Sequence, residues 1–455
     1  MRANSRNKIQ REKSFIEQKL EKIPLEKLSK QSKFSKRRPK KIKAKDFFLG
    51  FFLMANNAGN KSYQNWASKI GLLIKDKVSK QALWKKMHKG QIVFLKKVLS
   101  AIMKDTLAMD NKGLDFDEKL KRFKNVIVED STNIQLNDKL HKEYPGNGYQ
   151  NREAKKAILK IQAAYNITRS KFIRFSITSF RDNDQGYSQK ILQIVKKGDL
   201  LIRDLGYFVL KVFKSLNKEG VYFISRLWKG VNVYSRKDER VIDLAKMLKK
   251  RGELDIEVFI GAKEKLPVRL IALPVEEKIA SERRRKARAN RDRRCRPSKK
   301  HLYLLGWELF ITNVDKETLN PSDIAQLYFI RWRIETIFKS WKSCFRITDI
   351  PKDTNKTRVE SYIYCMLIFI TLFQVHFYNY CLTKTKMNSQ VSHNREISLM
   401  RFMQYIINNL FFILQCNLSE NLKEESFLID QINYYCHYES RCDRVNFFQK
   451  LLKLG

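Results

Sequence analysis

The most chemically pointed stretch of the chain is Asn320 to Ser343, NPSDIAQLYFIRWRIETIFKSWKS. Within it Tyr328, Arg331, Glu335 and Lys342 stand in the order Tyr-x2-Arg-x3-Glu-x6-Lys. A helix advancing about 100° per residue sets these four within about one-sixth of a turn of one another. Ile330, Ile334, Ile337 and Trp341 fall on the opposite, buried side. One carboxylate flanked by two cations and a phenol suits a metal ion and phosphates. Any surface helix of a lysine-rich protein also has a polar face, so the chemistry needs further acids. Asp130 and Asp204 supply them, each closing a short apolar run, NVIVED and DLLIRD. Phosphodiester hydrolysis with two Mg2+ ions, or Mn2+ in their place, needs two or three carboxylates on one side of the scissile phosphate. Beyond that it asks for little except positioning and charge.

The elements that must position these acids can be read from the pattern around them. The Glu335 helix has start signals in Asn320 as cap, Pro321 at the first position and Asp323 at the positive end. At Lys124 the period turns strand-like. Val126 to Val128 reads as a buried strand with Asp130 at its end, and STNIQL continues beyond a turn. LKIQAAYNI and KFIRFSIT read as two strands joined by Thr168-Arg169-Ser170. SQKILQIVKKGD reads as a helix, DLLIRD as a strand ending in Asp204, GYFVLKVFKSLNKEG as a helix and VYFISRL as a strand. Three strands, helix, strand, helix, strand is the order of an RNase-H-like fold, which brings acids from two neighbouring strand ends beside one from a helix. The separations are 204 − 130 = 74 and 335 − 204 = 131 residues, the second too long for a minimal fold of this kind. VNVYSR, LDIEVFIGA and PVRLIALPV mark strands inserted there, before the basic run ERRRKARANRDRRCRPSKK, which suits phosphate contact. LYLLGWELFITNV then returns as a strand leading into the key helix.

With 92 Lys+Arg against 47 Asp+Glu the chain carries a formal charge of +45, which makes a polyanion, nucleic acid ahead of anionic membrane, the default partner. Its seven cysteines are odd in number, scattered and without a C-x2-C pair. Neither a disulfide framework nor a structural zinc site is indicated, which fits a reducing cytoplasm. No apolar secretory segment opens the sequence. Residues 1–45 read as a basic, partly disordered arm suited to DNA phosphates. Residues 46–110 read as helical: DFFLGFFLMANNAG closed by Asn57 and Gly59, then SYQNWASKIGLLI, then a basic helix capped by Ser79. That is the grammar of a helix-turn-helix, with Lys80, Gln81, Lys85 and Lys86 facing DNA.

The order Tyr328, Arg331, Glu335, Lys342, together with Asp130-Ser-Thr and Asp204-Leu-Gly-Tyr-Phe, resembles the signature of the bacterial DDE transposases of the insertion-sequence-four (YREK) group. The motifs span Asn125 to Lys342. The resemblance implies that Asp130, Asp204 and Glu335 are the catalytic, metal-binding triad and that an inserted β-rich domain separates the last two. It implies that Tyr328, Arg331 and Lys342 contact phosphates at the transposon end. Trp307 lies 328 − 307 = 21 residues before Tyr328, where similar transposases have a tryptophan that stacks on a flipped base. A core tryptophan on a buried strand is an equal reading. The resemblance further implies double-stranded DNA partners (the element's terminal repeats and target DNA), a homodimer in the synaptic complex, strand cleavage, and transfer of the 3′-hydroxyl end.

After Asn355 the pattern stays helical. SYIYCMLIFITLFQVHFYNYCL is apolar enough for a membrane span, but Gln374, His376 and its tyrosines favour a buried helix and no membrane. Cys436-His437 with Cys442 and His393 fits no zinc template. The expected organisation is multidomain α/β. It runs from the arm (1–45) through a helical DNA-binding domain (46–110) and the first part of an RNase-H-like core (111–228) to an inserted β-rich, basic domain (229–300). The second part of the core (301–355) and a helical C-terminal region with dimer contacts (356–455) complete it. The competing readings are a catalytically silent DNA-binding protein derived from a transposase, and a membrane-associated basic protein.

Overall fold

The computed structural model describes residues 14–35, 41–56, 61–105, 118–146, 155–236, 240–289, 296–351, 353–387, 397–416 and 421–437. Asn57, Gly59, Cys295, His393 and Cys442 lie outside them. The chain divides into two compact units, Met1–Leu114 with Asn133–Leu159 and Thr336–Val445, and Asp115–Thr132 with Lys160–Glu335 and Asn446–Gly455.

The second unit is organised by a mixed sheet of nine strands among the described residues. They are β1 (Val126–Gln135), β2 (Ile158–Asn166), β3 (Lys171–Ser179), β4 (Leu200–Arg203), β5 (Tyr222–Arg226), β6 (Val233–Tyr234), β7 (Leu254–Ile260), β8 (Leu266–Pro274) and β9 (Trp307–Thr312). Their order across the sheet is β3-β2-β1-β4-β5-β9-β8-β7-β6. β1, β4 and β5 run parallel, and β9, β8, β7 and β6 continue antiparallel from β5. The central strands read as unbroken apolar runs because both faces are covered. Ile127, Leu201, Phe223 and Ile311 pack with Val212, Phe213 and Leu216 of the helix Leu210–Lys218 in one core. Each such side chain, fully buried, contributes about 1.5–3 kcal/mol.

The first unit is helical among its described residues. The helices Ala44–Ala55 and Lys89–Asp105 and the helix Lys356–Ile370 with its π-helical continuation Thr371–Phe377 meet through aromatic side chains. Phe52 stacks on Phe369 at 4.8 Å and Phe34 on Phe94 at 4.6 Å. The segment Lys356–Thr385 is long and apolar enough to cross a membrane, but 89% of its most apolar window is buried inside the protein. Its two odd polar residues are core ties. Gln374 accepts from Trp341 Nε1 at 2.7 Å and donates to Ser340 Oγ at 2.9 Å, and His376 Nε2 meets the Ile102 carbonyl at 3.2 Å. Cys344, Cys365, Cys381, Cys416 and Cys436 are free and buried, and burial pushes every one of these thiols up.

Several expectations change. Residues 15–31, expected within a disordered arm, form the helices Phe15–Glu21 and Leu25–Gln31. Phe15, Ile16, Leu20 and Leu25 are buried, so this short apolar periodicity is enough to dock them. β1 does not stop before Asp130 but runs on through it to Gln135. The inserted strands β6–β8 join the same sheet, because β8 pairs with β9 and β9 also pairs with β5. LYLLGWELFITNV begins as the helix Lys299–Leu304, capped by Ser298, before β9. The stretch 320–343 is two helices, Pro321–Phe329 and Trp332–Ser343, broken at Ile330-Arg331. The amides of Ile330, Arg331, Arg333 and Ile334 all bond three residues back, which tightens the chain there.

Candidate active site

Strand register brings the two aspartates together. β1 and β4 pair in parallel with Val126 opposite Leu200 and Glu129 opposite Arg203, so Asp130 and Asp204 are the next positions on the two chains. β4 ends at Arg203 while β1 continues, and this opens the sheet beside Asp130. The two residues just before the acids form a fully buried ion pair, Arg203 Nη2 to Glu129 Oε2. Arg203 also donates to Ser188 Oγ at 2.6 Å and to the Ser188 carbonyl at 2.9 Å. Burial pushes the Glu129 carboxyl up against the pull of Arg203.

Beyond that pair each aspartate is oriented by its own turn. Ser131 N–H donates to Asp130 Oδ1 at 2.7 Å, and Gly206 N–H donates to Asp204 Oδ2 at 3.4 Å, where Asp204 caps the 3-10 turn Leu205–Tyr207. Glu335 comes from the first turn of the helix Trp332–Ser343. The Arg331 guanidinium lies among all three acids, 3.5 Å from Asp130 Oδ2, 3.7 Å from Asp204 Oδ1 and 2.7 Å from Glu335 Oε1. Its side chain is only 9% exposed, against 21%, 41% and 50% for Asp130, Asp204 and Glu335, so the acids open outward over a buried cation. Burial pushes Asp130 up to about 7, with its Ser131 hydrogen bond and Arg331 opposing and the other two acids adding. Burial works against the Arg331 charge, yet Tyr328 and the three carboxylates hold its pKa above the ordinary value.

Asp130, Asp204, Glu335 and Arg331 are thus brought together. Tyr328 is not on an open polar face: it is 1% exposed, packed on Phe310 at 5.2 Å with the Arg226 guanidinium over its ring. The helix break at 330–331 is the reason, because the straight wheel no longer relates Tyr328 to Glu335. Lys342 is exposed, two turns beyond Glu335 on its helix. Trp307 begins β9 half-buried, packed with Tyr303, Leu304 and Met247 on a small cluster of Leu248, Leu254 and Ala272. Trp332, which follows Arg331 in sequence, is half exposed. Lys80, Gln81 and Lys85 are exposed, the first two on the five-residue helix Lys80–Trp84 capped by Ser79. Lys86 instead lies over the Phe34 ring at 4.8 Å. The basic helix Glu277–Arg288 is partly neutralised, with Arg283 paired to Glu308 and Arg285 to Glu282. Sequence reasoning passed over Glu129 and Arg203. Their pairing depends on the β1–β4 register, which no local pattern announces.

Among the described residues no three His, Cys, Asp or Glu side chains stand close enough to chelate an ion as placed; Arg331 spaces the acids instead. The chemistry of the donor set still fits a hard divalent cation, because it is all carboxylate oxygen. Among the described residues Arg331 Nε, though buried, has no hydrogen-bond partner, and the Arg331 contacts to the two aspartates are long, so their oxygens are not saturated.

Clustered acids on a mixed sheet, in a chain of charge +45, define an enzyme acting on a nucleic-acid backbone. The family described as Transposase DDE domain matches residues 121–370, more than half of the chain, and the chain belongs to that family. It is a DNA transposase. It is 27% identical over 422 residues to the transposase of insertion sequence element IS231E of Bacillus thuringiensis subsp. finitimus, covering 88% of this chain and 85% of that one. It is 26% identical to that of IS231F of Bacillus thuringiensis subsp. israelensis, covering 92% and 94%. A piggyBac transposase synaptic complex with hairpin DNA aligns at a TM-score of 0.42 and 11% identity, over 93% of this chain and 84% of that one; no residue assignment follows from so low a similarity.

Proposed function

We propose that this transposase binds the terminal inverted repeats of its own insertion sequence, pairs two ends as a homodimer, and moves them by cutting and joining. The observation that carries the reading is the gathering of Asp130, Asp204 and Glu335 around Arg331 inside the family match. The strand order β3-β2-β1-β4-β5 supports an RNase-H-like core, and the helices around Ser79 support a helix-turn-helix that reads the repeat. The site belongs with cytoplasmic, nucleoid DNA. In cleavage a water oxygen bonds to phosphorus and the bond to the 3′-oxygen breaks, leaving a 3′-hydroxyl. In joining that hydroxyl loses its proton, bonds to a target phosphorus, and displaces the target strand's own 3′-oxygen.

Asp130, Asp204 and Glu335 would hold two Mg2+ ions. Held there, the ions would supply the positive charge that activates the attacking oxygen and neutralises the leaving one. Ser131 and Gly206 N–H groups fix the two aspartates for that task. Arg331, released from part of its acidic cage, neutralises phosphate charge, and Lys342 adds a second cation on the helix that carries Glu335. Trp307, or the more exposed Trp332, offers an indole face to a displaced base. The intact set of acids argues against the silent DNA-binding alternative. The test is Mg2+-dependent cutting of a duplex carrying one terminal repeat, with Asp130→Ala, Asp204→Ala and Glu335→Ala as controls. Each should bind the duplex and leave it whole. Cutting retained by any of the three would overturn the assignment.

A further inference from the structure

A fourth carboxylate stands behind the two aspartates. Asp184 opens the short helix Asp184–Tyr187 that follows β3, in a polar loop whose sequence carries no motif. Its Oδ1 accepts from three groups: Gln162 Nε2 at 2.8 Å, Lys160 Nζ at 3.0 Å and Ser131 Oγ at 3.3 Å. Lys160 and Gln162 are charged and polar residues buried on β2, at 5% and 1% exposure, where an unpaired ammonium would be costly. Gln162 in turn accepts from the Tyr207 hydroxyl. This network meets the residue that follows Asp130, Ser131, and the turn that follows Asp204, through Tyr207. Ser131, held by Asp184 through its hydroxyl, is the residue whose N–H orients Asp130. On the other side Gly206, whose N–H orients Asp204, lies against Asp184. A Cβ placed there would meet Asp184 Oδ2 at 3.4 Å and Asp204 Oδ2 at 3.8 Å, ordinary contact distances, so the two carboxylates flank one point.

We propose that Asp184, anchored by Lys160 and Gln162, is a positioning residue that sets the separation of Asp130 and Asp204 through Ser131 and the Gly206 turn. The inference rests on the assignment of Asp130, Asp204 and Glu335 as the metal-holding triad. Asp184 acts on the triad from behind, as partners of metal-holding carboxylates do, and their loss typically lowers metal affinity or activity about 10–100-fold.

The experiment is single-turnover cleavage of a labelled duplex carrying one terminal repeat, titrated with Mg2+, beside binding of the same duplex in EDTA. Ser131→Ala cuts only the tether. Asp184→Leu with Lys160→Met removes both charges, so that no unpaired ion is left in the core. Asp184→Asn with Lys160→Met keeps an acceptor oxygen for Ser131 and likewise leaves no unpaired ion. The first two should raise the Mg2+ midpoint and lower the saturating rate, each by about tenfold or more, with binding in EDTA within about twofold. That second double variant should stay within about threefold of wild type. Wild-type midpoints and rates for both tether-breaking variants would overturn the proposal, as would a parallel loss of binding and cutting at an unchanged midpoint. If the first double variant does not fold, Ser131→Ala decides. Asp130→Ala and Glu335→Ala run alongside: if they cut, the triad itself is wrong, whereas if they are dead and the Asp184 set is normal, only this inference fails.

Discussion

The Glu129–Arg203 pair makes a sharp prediction about how the site is held. It is fully buried, spans β1 and β4 at their last paired register, and has Asp130 and Asp204 one residue further on. Removing one partner strands a buried charge, which costs about 3–5 kcal/mol. Glu129→Ala leaves Arg203 with Ser188 and the Tyr207 ring but no carboxylate, so the penalty falls on the β1–β4 pairing rather than on the whole chain. At about 1.4 kcal/mol per tenfold, amides of Val126–Glu129 and Leu200–Arg203 should exchange hydrogen roughly 100-fold faster or more, and Mg2+-dependent cutting should fall with them. Glu129→Leu with Arg203→Met replaces the pair by apolar volume and should recover most of the protection. Cutting should recover too, since neither residue touches the three acids. Exchange rates in Glu129→Ala within about threefold of wild type would refute the reasoning, because no buried charge of that cost could then be present.

Further expectations concern single side chains. Arg331→Met removes the cation shared by three carboxylates. Its melting temperature without metal should fall, and the rise on adding Mg2+ should exceed that of wild type; equal rises would contradict the shared-cation geometry. Trp307→Ala should lower stability by about 2–3 kcal/mol, short of the full loss for a wholly buried ring, whereas half-exposed Trp332→Ala should leave melting unchanged, as differential scanning fluorimetry can decide. Asn320→Ala removes the capping box shared with Asp323 and should cost about 1 kcal/mol in urea unfolding.

Much of the catalytic unit was legible because its signals are local. Apolar runs of four to nine residues gave β2 to β5 and β7 and β8, and the residues at their ends gave Asp204 and the neighbourhood of Asp130. The capping box at Asn320 and the buried face of Ile330, Ile334, Ile337 and Trp341 followed from spacing alone. What the sequence left dark depends on partners distant in the chain. The break at Ile330-Arg331 has no Gly or Pro to announce it, and it turns Tyr328 inward. The merging of β6–β8 into one sheet is decided by β9, which arrives after the helix Lys299–Leu304. Phe15, Ile16 and Leu20 sit in a charged stretch, where composition hides three buried side chains. Asp184 and Lys160 reach Ser131 only through tertiary contacts, and no pattern within twenty residues of either points to that meeting.

The most direct test of the account is cleavage of a labelled duplex bearing the element's end, in Mg2+ or EDTA, by wild type and Glu335→Ala. The account predicts cutting by wild type in Mg2+ only, and none by Glu335→Ala, which still binds the duplex. Binding without cutting by the wild type, or equal cutting by both, would contradict it.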